Sequence, residues 1–247
     1  MNHDINTLQN QKTFLTGPAG TGKTTRALAW LQSLLDGEVQ AGSILILVPQ
    51  RTLATPYYDV LQDAHSHKGE LPTIMTMGGL ARRMVELFWP QVAAMAGFQH
   101  PEKPPVFLTL ETAQYYMARG LVPMLDKGFF ETVTIERSRL YSQVIDNLNK
   151  AAVNGYDHTQ IGARLKLAAP ADPEQTRIFQ DAQEAASRFR QYCLEHNLLD
   201  FSLQFEIFQQ YLWTSESLCR DYLIGTYQHL IYENLEEDTP AAHNIVR

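Results

Sequence analysis

The stretch Gly17-Pro18-Ala19-Gly20-Thr21-Gly22-Lys23-Thr24 constrains this chain more than any other. It reads G-x-x-x-x-G-K-T, the pattern of a phosphate-binding loop. Such a loop belongs between a strand and a helix. Thr13-Phe14-Leu15-Thr16 before it predicts a short buried strand. After it, Ala27, Trp30, Leu31, Leu34 and Leu35 recur at helical spacing. Glycines let backbone N–H groups close around phosphates, and the helix N-terminus adds a positive dipole end. The ligand expected of this stretch is a nucleoside triphosphate with Mg²⁺, held by Gly17 to Thr24. Lys23 is expected to reach the β- and γ-phosphates, and the Thr24 hydroxyl to ligate the metal.

A chain of 247 residues with 45% hydrophobic and 19% charged side chains can bury one large domain or two modest ones. The formal net charge of −7 argues against a dedicated basic nucleic-acid module, so any such contact is expected to be local. Cys193 and Cys219 lack metal-ligand spacing and read as buried thiols of a reducing compartment. No apolar run approaches a membrane span, and the polar start Met1-Asn2-His3-Asp4 is no signal peptide. The expected location is the cytoplasm.

Strands alternate with helices in the first part of the chain. Ser43 to Pro49 holds a continuous apolar run, expected to be a strand buried on both faces of a parallel sheet. A helix with Leu53, Tyr57, Val60 and Leu61 follows, then a short strand over Pro72 to Thr76. Gly78-Gly79 turns into a helix carrying Leu80, Met84, Val85, Leu87 and Phe88. The texture changes near Gly97, and residues Phe98 to Pro105 suit a domain boundary. From Val106 to about Asn197 no strand is expected. Leu140, Val144, Ile145 and Leu148 mark one helix there, and Ile178, Ala182, Ala185, Phe189 and Tyr192 another. Pro170-Ala171-Asp172-Pro173 breaks the run, with Asp172 as cap and Pro173 at the first helical position. A helix with Leu203, Ile207, Phe208, Tyr211 and Leu212 leads on to a strand at His229 to Tyr232. Behind it lies the acidic run Glu233-Asn234-Leu235-Glu236-Glu237-Asp238, with Thr239 or Asp238 capping a last helix at Pro240.

A phosphate-binding loop alone binds nucleotide. Hydrolysis also needs an acid on the metal side and a group that positions the attacking water. The acidic run after the strand ending at Tyr232 is the candidate, against the plainer reading of a solvated turn and helix cap.

At this point the chain resembles the N-terminal part of UvrD/Rep-type superfamily 1 DNA helicases, including the helicase-like subunits of bacterial double-strand-break repair nucleases. Gly17 to Thr25 is similar to their first motif, G-P-A-G-T-G-K-T-T. Ile44 to Ala54, with Val48-Pro49-Gln50-Arg51, resembles the strand and loop that follow it. Thr76 to Arg83 resembles the T-x-x-x-L-A-x-R segment that lines the DNA groove, and Leu199-Asp200-Phe201 the L-D-F before the second motif. The resemblance implies a RecA-like α/β P-loop domain with a parallel sheet, built from residues 1–96 and 198–247. An all-helical domain, 97–197, is inserted. It also implies single-stranded DNA as partner, touched by Arg51, Thr76, Arg82 and Arg83. A second motor domain or partner subunit, absent from this chain, would complete the ATP site.

The second motif departs from the family's D-E-x-Q-D. Aligned on Thr239-Pro240, Glu233 takes the place of the metal-side Asp, Asn234 of the catalytic Glu, Glu236 of the Gln and Glu237 of the Asp. Lys23, Glu233, Glu236 and Glu237 are therefore the expected catalytic set, with Thr24 and Glu233 on the metal. Asn234 cannot accept a proton from water, so ATP binding is the firmer expectation than turnover. The alternative is a degenerate helicase-like subunit that binds nucleotide or DNA without hydrolysis.

Other residues carry less. Gln9 and Gln11 lie too near Gly17 to match the adenine-contacting Gln of the family. Arg26 could touch phosphate or sit on an exposed helix face. Arg82 and Arg83 could bind DNA backbone or form a solvated face. His65, His67 and His229 have no metal partners in the sequence. Trp30, Trp89 and Trp213 read as core or interface.

Overall fold

The computed structural model describes residues 12–37, 39–63, 70–169, 172–214 and 216–246. Gln9, Gln11, His65, His67 and Pro170-Ala171 lie outside them. The central element is β1 (Ile44–Leu47), buried along its whole length. It pairs in parallel with β2 (Thr73–Met75) on one side and β5 (His229–Tyr232) on the other, giving the order β2-β1-β5.

The pleat of β1 divides its side chains between two cores. Ile44, Ile46 and Val48 face a cluster with Leu31, Leu34 and Leu35 of α1 (Lys23–Leu35), and with Tyr57 of α2 (Thr55–Asp63) and Ile231 of β5. Leu45 and Leu47 face a larger cluster built on Met77, Leu80, Met84 and Val85 of α3 (Met77–Leu87). Burial on both faces explains why an unbroken apolar run, rather than an alternating one, forms this strand.

The larger core runs on without interruption from α3 and the short α4 (Trp89–Val92) into the helical region. That region comprises α5 (Leu110–Leu125), α6 (Arg137–Asn154), α7 (Ile161–Ala168) and α8 (Pro173–Glu195). Asp172 caps α8, accepting from Gln175 N at 2.8 Å, with Pro173 at its first position, as the sequence requires. The core continues into α9 (Phe201–Ile207), whose last turns widen into a π-helical segment over Phe208–Leu212. Then α10 (Leu218–Thr226) leads into β5, and α11 (Pro240–Ile245) follows it, capped by Thr239. This is a mixed α/β fold with a parallel sheet and many helices, as a RecA-like domain requires.

Two local expectations fail. Thr13 to Thr16 forms no strand: among the described residues the sheet takes only β2 and β5 beside β1, and Phe14 is 73% exposed. A strand exists only where a neighbour completes its hydrogen bonds, and among the described residues this segment has none in the sheet. Conversely, the helical region begins with a two-residue strand, β3 (Val106–Phe107), parallel to β4 (Leu198–Leu199). Asn197, at φ +52°, turns the chain into β4 and donates to the carbonyls of His100 and Lys103. Trp89 Nε1 donates to the same Lys103 carbonyl at 2.7 Å, so the Phe98 to Pro105 loop is fastened to α4. Of the tryptophans, Trp89 is buried in the core, whereas Trp30 lies half exposed on α1.

Candidate nucleotide site

The phosphate-binding loop is shaped by its glycines. Gly22 sits at φ +86°, a left-handed conformation that costs other residues strain, and it directly precedes α1. A Cβ on Gly17 would stand 2.7 Å from Thr21 Oγ1. That hydroxyl in turn donates to the Pro18 carbonyl at 2.8 Å. Residues 12–22, Ala19 and Gly20 among them, are exposed, as is Thr25. Lys23 folds over this loop, its Nζ donating to Gly17 O at 2.6 Å and lying 3.4 Å from Pro18 O.

The sheet brings the second half of the site to the loop. Backbone pairing carries β5 one residue past its end, where Glu233 N–H donates to Leu47 O at 2.9 Å. The Glu233 side chain is buried, and Thr24 Oγ1 donates to its Oε1 at 2.7 Å across 209 residues of sequence. Glu236, on the 3₁₀ turn Leu235–Glu237, places Oε1 3.5 Å from Lys23 Nζ. Asn234 enters that turn in the left-handed region at φ +46° and donates through Nδ2 to Glu237 Oε1 at 3.3 Å. The geometry therefore gathers Lys23, Thr24, Glu233 and Glu236. Glu237 is engaged by Asn234 instead.

One member of the site escapes a reading by sequence. The Tyr57 hydroxyl donates to Glu233 Oε2, so both carboxylate oxygens are engaged. Burial, then the hydrogen bond to Glu233 and its charge, raise the Tyr57 pKa above its ordinary value. The phenol is thus a fixed donor. At helical spacing Tyr57 looks like one more apolar contact, and its polar partner lies 176 residues away.

These groups suit Mg²⁺ and a triphosphate. A hydroxyl and one carboxylate present hard oxygens beside a loop of backbone amides. Mg²⁺ characteristically takes few protein ligands and completes its shell with phosphate and water. Among the described residues no cluster of three or more His, Cys, Asp or Glu could hold a metal by itself.

The residues aligned with a DNA groove are scattered in role. Thr76 caps α3, its Oγ1 accepting from Gly79 N at 3.1 Å. Arg82 lies over the Phe107 ring at 4.5 Å, and Arg83 Nη1 donates to Tyr227 OH at 3.3 Å. Arg51 and Arg26 are exposed. Cys193 and Cys219 are buried free thiols. Burial raises both, Cys219 to about 12, which leaves neither reactive.

Among the described residues no helix is long and apolar enough to cross a membrane. No match is found among curated proteins. A family model described as DEAD/DEAH box helicase matches residues 5–91, the span that carries the phosphate-binding loop, α1, β1, α2, β2 and α3. Domains of that kind use ATP with Mg²⁺ and bind nucleic acid, and over this span the chain is similar to them as a nucleotide-binding, helicase-like domain.

Proposed function

We propose that this chain is the ATP-binding motor part of a UvrD-like DNA helicase acting in DNA repair or recombination, in the cytoplasm. The observation that carries the reading is the meeting of Thr24 and Glu233 at 2.7 Å, beside a lysine that spans its own loop. Lys23 and the loop amides hold the phosphates, and Thr24 and Glu233 hold Mg²⁺. Residues 1–96 and 198–247 form the RecA-like part, with 97–197 as the helical insertion. Single-stranded DNA runs past Arg51, Thr76, Arg82 and Arg83. A second motor domain or partner subunit covers the open side of the loop, where residues 12–22 face solvent.

The attacking water needs a carboxylate, and Asn234 offers an amide. We assign that role to Glu236, whose carboxylate lies 3.5 Å from the Lys23 amine. Glutamine at this position (Glu236→Gln) is expected to lower DNA-stimulated ATP turnover by about 10²–10⁴-fold while leaving nucleotide affinity near that of the wild type. Equal turnover in the variant removes Glu236 from the mechanism. A second reading, a subunit that binds nucleotide and DNA without turnover, is favoured by the Asn234–Glu237 contact, which ties up two positions of the second motif. Nucleotide binding without wild-type turnover, with or without single-stranded DNA, selects that reading.

A further inference from the structure

Tyr57 belongs to the nucleotide site although it lies in none of the loops that line it. We propose that Tyr57 is a positioning residue, whose hydroxyl clamps the second oxygen of Glu233 and gives this glutamate the fixed placement that metal binding needs. The inference rests on the nucleotide-site reading above and extends it to a residue on α2.

Three observations carry it. Tyr57 is completely buried, so water cannot satisfy its hydroxyl, and the bond it makes goes to Glu233 Oε2. Thr24 holds the other oxygen, so the carboxylate is pinned at both ends. The Tyr57 ring itself is locked in the cluster of Leu31, Leu34, Ile46, Val48 and Ile231, the residues that join α1, β1 and β5. A glutamate has one more rotatable bond than an aspartate and loses more freedom when held. Alone at the end of β5 it would sample several placements. With Thr24 and Tyr57 on its two oxygens it has one, and its orientation is set by three separate elements of the sheet core. Groups that orient a metal-side ligand from behind typically contribute 10–100-fold to metal affinity.

The test is Mg²⁺-dependent binding of a fluorescent ATP analogue to the full chain, in EDTA and across a Mg²⁺ titration. Wild type, Tyr57→Phe, Glu233→Asp and the double variant are compared, with thermal melts of each. Tyr57→Phe keeps the buried ring and is expected to leave affinity in EDTA unchanged while raising the Mg²⁺ requirement about 10-fold or more. In the Glu233→Asp background the same change is expected to add nothing, because the shorter carboxylate no longer reaches the phenol. A Tyr57→Phe protein with the wild-type Mg²⁺ requirement overturns the inference. So does an equal loss of affinity with and without Mg²⁺, which marks simple damage to packing. Wild-type protein that binds no nucleotide overturns the nucleotide-site reading and this inference with it.

Discussion

Replacing Lys23 by alanine is expected to weaken MgATP binding about 10- to 100-fold and to bring any turnover below detection. The size follows from what the amine does. It sits 2.6 Å from Gly17 O, astride the loop whose amides would receive phosphate. A hydrogen bond to a charged group is worth roughly 1.5–3 kcal/mol, and each 1.4 kcal/mol is tenfold in affinity. The amine's ion-pair partner, Glu236, is 61% exposed, and an exposed ion pair contributes only about 0–1 kcal/mol to folding. The variant should therefore melt close to wild type while losing its ligand. That separation of binding from stability, read by fluorescent nucleotide titration beside a thermal melt, distinguishes a phosphate-binding lysine from a structural one. A variant that binds MgATP as tightly as wild type sinks the nucleotide-site reading.

What could be read from letters and what could not divides along physical lines. The loop was legible because phosphate cradling demands glycines at fixed spacing, and β1 because burial on both faces leaves an uninterrupted apolar run. His229 to Tyr232 was legible as a short strand from Leu230-Ile231-Tyr232 although only Ile231 is buried, and Thr239-Pro240 as a helix start because the cap must satisfy a free N–H. Thr13 to Thr16 has the letters of a strand, yet a strand is a relation between segments, and Phe14 stands exposed with no ladder. Residues Val106–Phe107 pair with Leu198–Leu199 over a length too short to show any period. Tyr57 was hidden because helical spacing reports only that a side chain is buried, and not that its hydroxyl meets an acid contributed from the far end of the chain. Arg190 is a case where the signal was present. It lies four residues after Ala186 and three before Cys193, on the buried face of α8, where a solvated arginine does not belong.

That arginine is the basis of the largest stability change expected in the molecule. Arg190 and Asp200 are 3% and 1% exposed and lie 3.2 Å apart. Arg190 Nη2 also donates to Ser202 Oγ and Glu206 Oε2, each at 3.0 Å, and Ser202 donates to Asp200 Oδ2 at 2.6 Å. Asp200 Oδ1 accepts from Leu203 N at 3.0 Å and so caps α9. The network ties the long α8 to the segment that returns to the sheet. Asp200→Ala removes the cap and leaves a buried guanidinium short of one anion, at a cost of about 3–5 kcal/mol. For a domain of this size that is a fall of roughly 10 °C in Tm. Asp200→Asn, which keeps an acceptor for the cap but not the charge, should fall between. The same network fixes the response to acid. Burial, the largest influence on Glu206, pushes its pKa up, but the His158 imidazole at 3.7 Å and the Arg190 guanidinium outweigh it and leave it below the ordinary value. A carboxylate lowered in this way stabilises the fold above its unfolded pKa of about 4.3, and that contribution is lost as pH falls through the folded value. Urea unfolding at pH 7 and at progressively lower pH should show wild type losing stability on acidification. Arg190→Met should lose less of it, because the charge that favoured ionised Glu206 is gone. An Asp200→Ala protein within about 1 kcal/mol of wild type would mean that the buried pair is replaceable, and that hydrophobic packing alone holds α8 to the sheet.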